Sequence, residues 1–505
     1  MSEIVDLNKL QNVVTALKKD GKKVGLCHGV FDLLHLGHVY YLEEAKSLCD
    51  ILIVTITDCK FVNKGPGRPI FNAKERTKAL SSLNSVDFVA INQWKTAINT
   101  IKQIKPDIYI KGPDYQDSSQ DPTDNLKKEM QAIELVGGKF EVTNGQQYSS
   151  SRIINLFYEE DKAVMKFREN IRKKFSSTDV KAKLDTFKDL KVLIIGEAIL
   201  DTYVFCETVG KAGKDPFLVS KKKRTEVYLG GSLAGANNIS EFVNSVKVLT
   251  YLGDRDTNID LIKENLNSNI SIDYVKKIDS PTINKTRFVD EITNTKINGV
   301  YDINNNELCL KDEKKFLKKL EKIIDKFDLV IAMDFGHGLF TKEIVDLVSK
   351  KAKFLAVNIQ QNSFNSGFYD ISKFSKADLF TLHEGEMRQH FRDKVTETDE
   401  LILKLYQKSK FKNVIVTRGK KGSILKAKDQ KKPIFCPGLA KDIVDRVGSG
   451  DALLVATSLA LAKGLSPDFS LLFGSIAASE IIKDHANANM LKKDDVSNTL
   501  STFLK

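Results

Sequence analysis

The sequence predicts an α/β chain made of two parts: a doubly wound parallel sheet, then a larger α/β domain. Apolar runs of strand length alternate with segments of helical spacing through about residue 155. After a highly charged stretch, the same alternation restarts near residue 190. A chain of 505 residues is also too long for one ordinary core.

In the first part, 22–30 (KKVGLCHGV) reads as a buried strand, 37–48 as a helix and 50–57 as a strand. A helix over 72–83, a strand over 86–91, a helix over 94–104 and a strand over 106–112 follow. The helix 125–138 closes on glycine, and the strand 139–144 ends the pattern. Sheets of this kind bind ligands at the carboxyl ends of their strands, where strand order reverses. Residues 158–188 are expected to form a charged helical connector, with SSTD capping its second helix. A new α/β pattern opens at 191–201 and runs through 328–336, 352–358, 377–383 and 413–425 before helices to the end. The expected domains are therefore 1–157 and 189–505, joined by 158–188.

Composition narrows the function. A hydrophobic share of 42% with 29% charged residues is globular. No apolar run approaches the roughly 18 residues of a membrane helix, and the start lacks the basic-then-apolar pattern of a secretory signal. Cysteines 27, 49, 59, 206, 309 and 436 contain no CxxC pair, which argues against a disulfide framework and a thiolate zinc site. A soluble cytoplasmic protein with no resident metal cage is expected. The net charge of +12 is spread as lysines interleaved with acids, as in KDEKKFLKKLEKIIDKF, and runs such as SKKKR are short. Neither nucleic acid nor membrane is an expected partner. A surplus of lysine suits small molecules that carry phosphate.

Two clusters carry chemistry. The first is GVFDLLHLGH, residues 29–38; with His28 it gathers three of the chain's seven histidines. His35 and His38 are i and i+3 at the start of a helix, where backbone N–H groups and the positive dipole end attract anions. Two imidazoles there suit triphosphate oxygens, and Gly37 between them lets backbone approach a ligand. From these residues alone a structural role or metal ligation stays open, although the motif supplies no third ligand. The whole pattern, G-x-F-D-x-x-H-x-G-H, resembles the HxGH signature of the nucleotidyltransferase superfamily, which includes cytidylyltransferases and phosphopantetheine adenylyltransferases. KGPDY (111–115) and YSSSRII (148–154) extend the resemblance. It implies that His35, His38 and Lys111 stabilise the transferring group. It places Gly29, Phe31, Asp32, Gly37, Ser149, Ser150, Ser151 and Arg152 at the nucleotide, and Asp114 and Tyr115 at the substrate. The implied reaction is attack of a phosphate monoester oxygen on an α-phosphorus, with pyrophosphate leaving and Mg²⁺ on the triphosphate.

The second cluster is DRVGSGDALL, residues 445–454. Successive amides of Gly448, Ser449 and Gly450 could hold a phosphoryl group while Asp451 accepts a hydroxyl proton. Taken alone, this is also an ordinary glycine turn with an acidic helix start. The pattern resembles D-[TR]-x-G-[AS]-G-D of the ribokinase-like sugar kinases. GEAILDTY (196–203), YLGGSLAGANNI (228–239) and VTRGKKG (416–422) resemble other parts of that family, in the expected order. The resemblance implies sugar contacts at Asp201, Gly230, Gly231, Asn238 and Asp445, and nucleotide contacts at Arg418, Gly419 and Gly422. Ala234 stands where many relatives have Asn. No G-x-x-x-x-G-K-[ST] occurs, which argues against a P-loop kinase.

Together the halves resemble the bifunctional heptose kinase/adenylyltransferases of lipopolysaccharide synthesis, with the domain order reversed. That implies ATP-dependent phosphorylation of a sugar phosphate such as heptose 7-phosphate. It also implies nucleotidyl transfer from ATP or CTP to a sugar 1-phosphate, giving ADP-heptose or a related nucleotide sugar, in a homo-oligomer. The alternatives are the same chemistries on another sugar or polyol phosphate, and a regulatory protein with an inactive kinase half.

Overall fold

ILIVTIT, residues Ile51–Thr57, buries every residue but the first, as a central parallel strand covered on both faces must. Strands β1 (Glu3–Ile4), β2 (Val24–Gly29), β3 (Ile51–Thr57), β4 (Phe88–Asn92), β5 (Ile108–Lys111) and β6 (Lys139–Val142) form one parallel sheet in the order β1-β4-β3-β2-β5-β6. One face packs on Leu7, Leu10, Val14, Ile101 and Ile133 from three helices. The other packs on Tyr41, Leu42, Ala45 and Leu80 from two more. Strand order reverses between β2 and β5, so the chain leaves these neighbours toward opposite edges.

These coordinates, a computed structural model, describe residues 2–62, 68–113, 125–144, 162–368, 370–428, 430–440, 443–483 and 490–505. The chain divides into two units, Met1–Lys181 with Ser497–Lys505, and Ala182–Val496. The segment expected as a connector is partly a packed element. Its helix Lys162–Arg172 repeats apolar residues at helical spacing and buries Val164, Phe167 and Ile171. Phe167 lies 6.2 Å from Phe503, ring to ring, and the Arg168 guanidinium lies 4.8 Å from the same ring.

The second unit holds two main sheets. Its strands are β7 (Lys191–Gly196), β8 (Ala198–Lys211), β9 (Leu218–Gly230), β10 (Ser245–Gly253), β11 (Ile270–Lys277), β12 (Ile283–Asp290) and β13 (Thr295–Asp302). There follow β14 (Leu329–Asp334), β15 (Leu355–Ile359), β16 (Lys376–Ala377), β17 (Leu379–His383), β18 (Lys410–Phe411), β19 (Asn413–Thr417), β20 (Ser423–Ala427) and β21 (Ile434–Cys436). Nine of them make the sheet β11-β10-β7-β14-β15-β17-β19-β20-β21, parallel until the last two pairings. Four make a second sheet, β13-β12-β8-β9.

Residues 191–201, where the second pattern opens, hold the end of one strand and the start of another; the chain breaks at Glu197 and enters the smaller sheet. Likewise 413–425 is an antiparallel pair around a short turn at Gly419–Lys421. Strand β13 exposes every residue and β9 most of its own, so neither shows the apolar alternation of a half-buried strand.

One buried arginine ties the first unit's turns together. Arg76 is 2% exposed and donates to the carbonyls of Val30 (2.7 Å), Thr57 (2.9 Å) and Phe71 (2.9 Å). Arg76→Met leaves those acceptors without this donor, and we expect a loss of roughly 2 kcal/mol of unfolding free energy, measured by urea denaturation.

Candidate active sites

In the first unit the HxGH loop leaves the carboxyl end of β2, beside β5 at the reversal of strand order. Phe31 turns the chain at φ 48°, a conformation rare outside glycine. Its ring is buried, 6.5 Å from the Tyr41 ring and 5.2 Å from the His38 ring. His35 is the N-cap residue of the helix Leu36–Ser47, and His38 sits in its first turn. The two imidazoles stack with centroids 3.9 Å apart, so both rings occupy one face at the helix start. Gly29 ends β2 and Gly37 lies between the two histidines.

Three residues of these motifs make contacts inside the unit. Asp32 is 1% exposed; it pairs with Arg68 Nε at 2.5 Å and accepts from the backbone N–H of Ile70 at 2.6 Å. Its carboxylate anchors the 68–71 loop. Phe31 supports His38 and Tyr41 from inside. Lys111 is 6% exposed, its ammonium 3.2 Å from Glu129 and donating to the His28 carbonyl at 3.3 Å. It sits behind the loop as a strut, already matched by an opposite charge. His28 is held between the hydroxyls of Thr55 (3.0 Å) and Thr57 (3.3 Å). Burial and the nearby Lys111 push its pKa down to about 4, so it is neutral at pH 7. Asp114, Tyr115, Ser149, Ser150, Ser151 and Arg152 lie outside the described residues.

In the second unit a cleft of about 1160 Å³ brings together residues distant in sequence. Gly448, at φ 81°, takes a left-handed turn that glycine adopts without cost and starts the helix Ser449–Ala462. Gly448, Ser449, Gly450 and Asp451 line the cleft together, at a helix N-terminus suited to anions. Asp201 lines it too, 4% exposed and ion-paired with Arg287. Gly230 explains how Asp201 fits: a β-carbon there would lie 2.2 Å from its carboxylate. Gly231 lines the cleft in a left-handed conformation at φ 57°. Asp445 lines it as well, bound by Lys296 at 2.9 Å and by the Tyr203 hydroxyl at 3.3 Å.

Charge is tightly arranged in this cleft. Burial and then the Asp201 charge raise the Asp451 pKa to about 7, against the opposing pull of Lys285. Burial lowers the Lys285 pKa, and Asp201 partly restores it. A carboxyl group titrating near 7 is well matched to proton transfer at physiological pH.

Two of the expected residues are not among those that line the cleft. Asn238 is 2% exposed, and its side chain accepts from the Leu491 backbone N–H at 3.0 Å, which secures that chain segment. The Arg418 guanidinium faces Glu384 at 3.4 Å, while its neighbours Gly419 and Gly422 line the cleft. Sequence reading missed Lys285, Arg287, Lys296, Asn358 and Glu386, all of which line the cleft. Lys285 and Arg287 carried a usable signal, because residues two apart on a strand share a face. Among the described residues no group of three or more His, Cys, Asp and Glu forms a metal cage. Asn358 and Glu386 are oxygen-bearing side chains that fit a Mg²⁺ brought in on nucleotide phosphates, which keeps most of its own waters.

Comparison with known proteins agrees with this division. A model of the pfkB family of carbohydrate kinases matches residues 189–494, and a cytidylyltransferase-like model matches residues 26–183. "Bifunctional protein HldE" of Sulfurimonas denitrificans is 39% identical over 140 residues, covering 27% of this chain and 29% of that protein. The protein of the same name in Nitratiruptor is 41% identical over 138 residues, covering 27% and 30%. The chain thus spans under a third of the length of these curated relatives. A solved phosphofructokinase-2 from Escherichia coli aligns at a TM-score of 0.51 and 14% identity, covering 63% of this chain and 100% of its own, which shows a shared fold. Among the described residues no helix is long and apolar enough to cross a membrane.

The electrostatics predict two opposite shifts. Asp201→Asn removes a neighbouring negative charge, so Asp451 titrates at lower pH. Lys285→Met removes a neighbouring positive charge, so Asp451 titrates at higher pH. Carboxyl ¹³C NMR titration of each variant checks both directions.

Proposed function

The chain belongs to the pfkB family of carbohydrate kinases through residues 189–494, and from that premise we propose a bifunctional enzyme of nucleotide-sugar synthesis, with kinase and nucleotidyltransferase activities in separate domains. We assign nucleotidyl transfer to residues 1–157 and phosphorylation to residues 189–505.

The observation that carries the kinase half is the pairing of Asp451 with a cation-rich acceptor pocket. Asp451 stands at a helix start behind Gly448–Gly450, and Lys285, Arg287 and Lys296 face the same cleft as Asp201. Asp451 would remove the proton from an acceptor hydroxyl while the glycine-rich amides receive the transferring phosphoryl group. Arg287 and Lys296 hold Asp201 and Asp445 at the cleft wall and can share their donors with an arriving anion, which supports an acceptor that already carries phosphate. A heptose 7-phosphate fits that description and is the acceptor we propose. Mg²⁺ bound with ATP supplies charge neutralisation on the phosphates, and Glu386 and Asn358 are the side chains that would orient it.

For the first domain the supporting feature is the stacked pair His35 and His38 at a helix start, beside the reversal of strand order. Their N–H groups suit the oxygens of an α-phosphate and of departing pyrophosphate. No covalent enzyme intermediate is needed, because the sugar 1-phosphate oxygen is itself the nucleophile. ATP or CTP as donor gives ADP-heptose or a related nucleotide sugar in the cytoplasm.

The two activities should separate by mutation. Asp451→Asn is expected to cut phosphorylation by about 10²–10⁴-fold and leave pyrophosphate release within about twofold; His38→Ala should do the reverse. Coupled assays for ADP and for pyrophosphate read the two steps independently, and undiminished phosphorylation by folded Asp451→Asn rejects Asp451 as the base. Lys296→Ala should raise the KM of the phosphorylated acceptor about 10-fold and scarcely change that of the unphosphorylated sugar. Steady-state kinetics on both acceptors measures the difference.

A further inference from the structure

Glu129 belongs to no motif in the sequence, yet it occupies the centre of the first unit's charged interior. It is carried by the helix Asn125–Leu135 and is 5% exposed. Its carboxylate accepts from the Ala97 backbone N–H at 2.9 Å and from the Tyr109 hydroxyl at 2.7 Å. The Lys111 ammonium lies 3.2 Å away. Burial alone would raise the Glu129 pKa, but Lys111, the His28 ring, the Ala97 amide and the Tyr109 hydroxyl together hold it below the ordinary value. The group is therefore an anion at neutral pH.

What Lys111 does with its remaining capacity links this anion to the HxGH loop. Pairing between β2 and β5 runs Gly25↔Ile108, Leu26↔Tyr109 and Cys27↔Ile110. The next carbonyl on β2, that of His28, receives the Lys111 ammonium at 3.3 Å. A side chain thus extends the ladder one step beyond the backbone pairing. Three residues after His28 the chain turns at Phe31, and the same loop ends in His35 and His38. The path Glu129, Lys111, His28 carbonyl and loop is continuous, and both ion-paired side chains are at most 7% exposed.

We propose that Glu129 is a positioning residue for nucleotidyl transfer: its buried carboxylate holds the Lys111 ammonium against the His28 carbonyl and so fixes the exit of β2 that aims His35 and His38. The inference rests on the nucleotidyl-transfer reading of this unit. Its physical basis is that displacement of reacting groups by about 1 Å costs up to 10²-fold in rate. Turnover falls because the loop is released.

The test is steady-state pyrophosphate release by the full-length protein with ATP or CTP and a sugar 1-phosphate. Glu129→Gln should lower kcat about 10-fold at an unchanged melting temperature, so that a loss of folded protein does not account for the fall. Glu129→Asp, which keeps the charge, should recover part of kcat. Where Glu129→Gln does not fold, the double variant Glu129→Gln/Lys111→Met removes both charges and carries the test, with the same fall in kcat expected. A folded variant of either kind with kcat within twofold of the unaltered protein overturns the proposal, as does a Glu129→Asp variant with kcat no higher than that of Glu129→Gln. Absence of pyrophosphate release from the unaltered protein with every triphosphate and sugar 1-phosphate tried overturns the nucleotidyl-transfer reading itself, which is a separate and recognisable failure.

Discussion

A buried carboxylate costs far more than it returns unless a cation stands beside it, and both units are organised around that constraint. In the second unit Asp201 is sealed in the cleft wall and matched by Arg287. That pair explains Gly230, whose missing side chain makes the room, and it supplies part of the field that raises the Asp451 pKa. In the first unit Glu129 and Lys111 form the equivalent pair beneath the HxGH loop. Residues that face a ligand are thus aimed by residues that face inward.

Much of each sheet was legible because central parallel strands are continuous apolar runs. Ile51–Thr57 and Leu329–Asp334 bury nearly every residue, and such runs admit few other structures. The smaller sheet of the second unit was not legible, for the converse reason. Strand β9 carries SKKKR with most residues exposed, and a two-sided exposed strand imposes no pattern on its sequence. The helix Lys162–Arg172 was misleading in another way. Its charged residues dominate the composition, while Val164, Phe167 and Ile171 repeat at the spacing that buries them.

The candidate sites divide along the same line. Motif residues at strand ends and helix starts, His35, His38, Gly448 and Asp451, lie where local sequence rules put them, because turns and helix caps are short-range structures. Asp32, Lys111, Asn238 and Arg418 belong to the same motifs but spend their polar atoms on Arg68, Glu129, Leu491 and Glu384. A motif names residues that travel together; it does not say which of them faces the ligand and which holds the others in place.

By itself the sequence determined the two α/β units, the helix starts that follow both glycine-bearing loops and the absence of a P-loop motif, since each depends on runs or spacings of a few residues. Only the tertiary structure decided which charges meet. Lys285, Arg287 and Lys296 reach Asp201, Asp445 and Asp451 across stretches of more than 80 residues in sequence, and Glu129 reaches the carboxyl end of β2 by way of Lys111. Coulomb energy depends on distance and burial, not on separation along the chain, so the pairing that sets each site's chemistry exists only once the sheets have assembled.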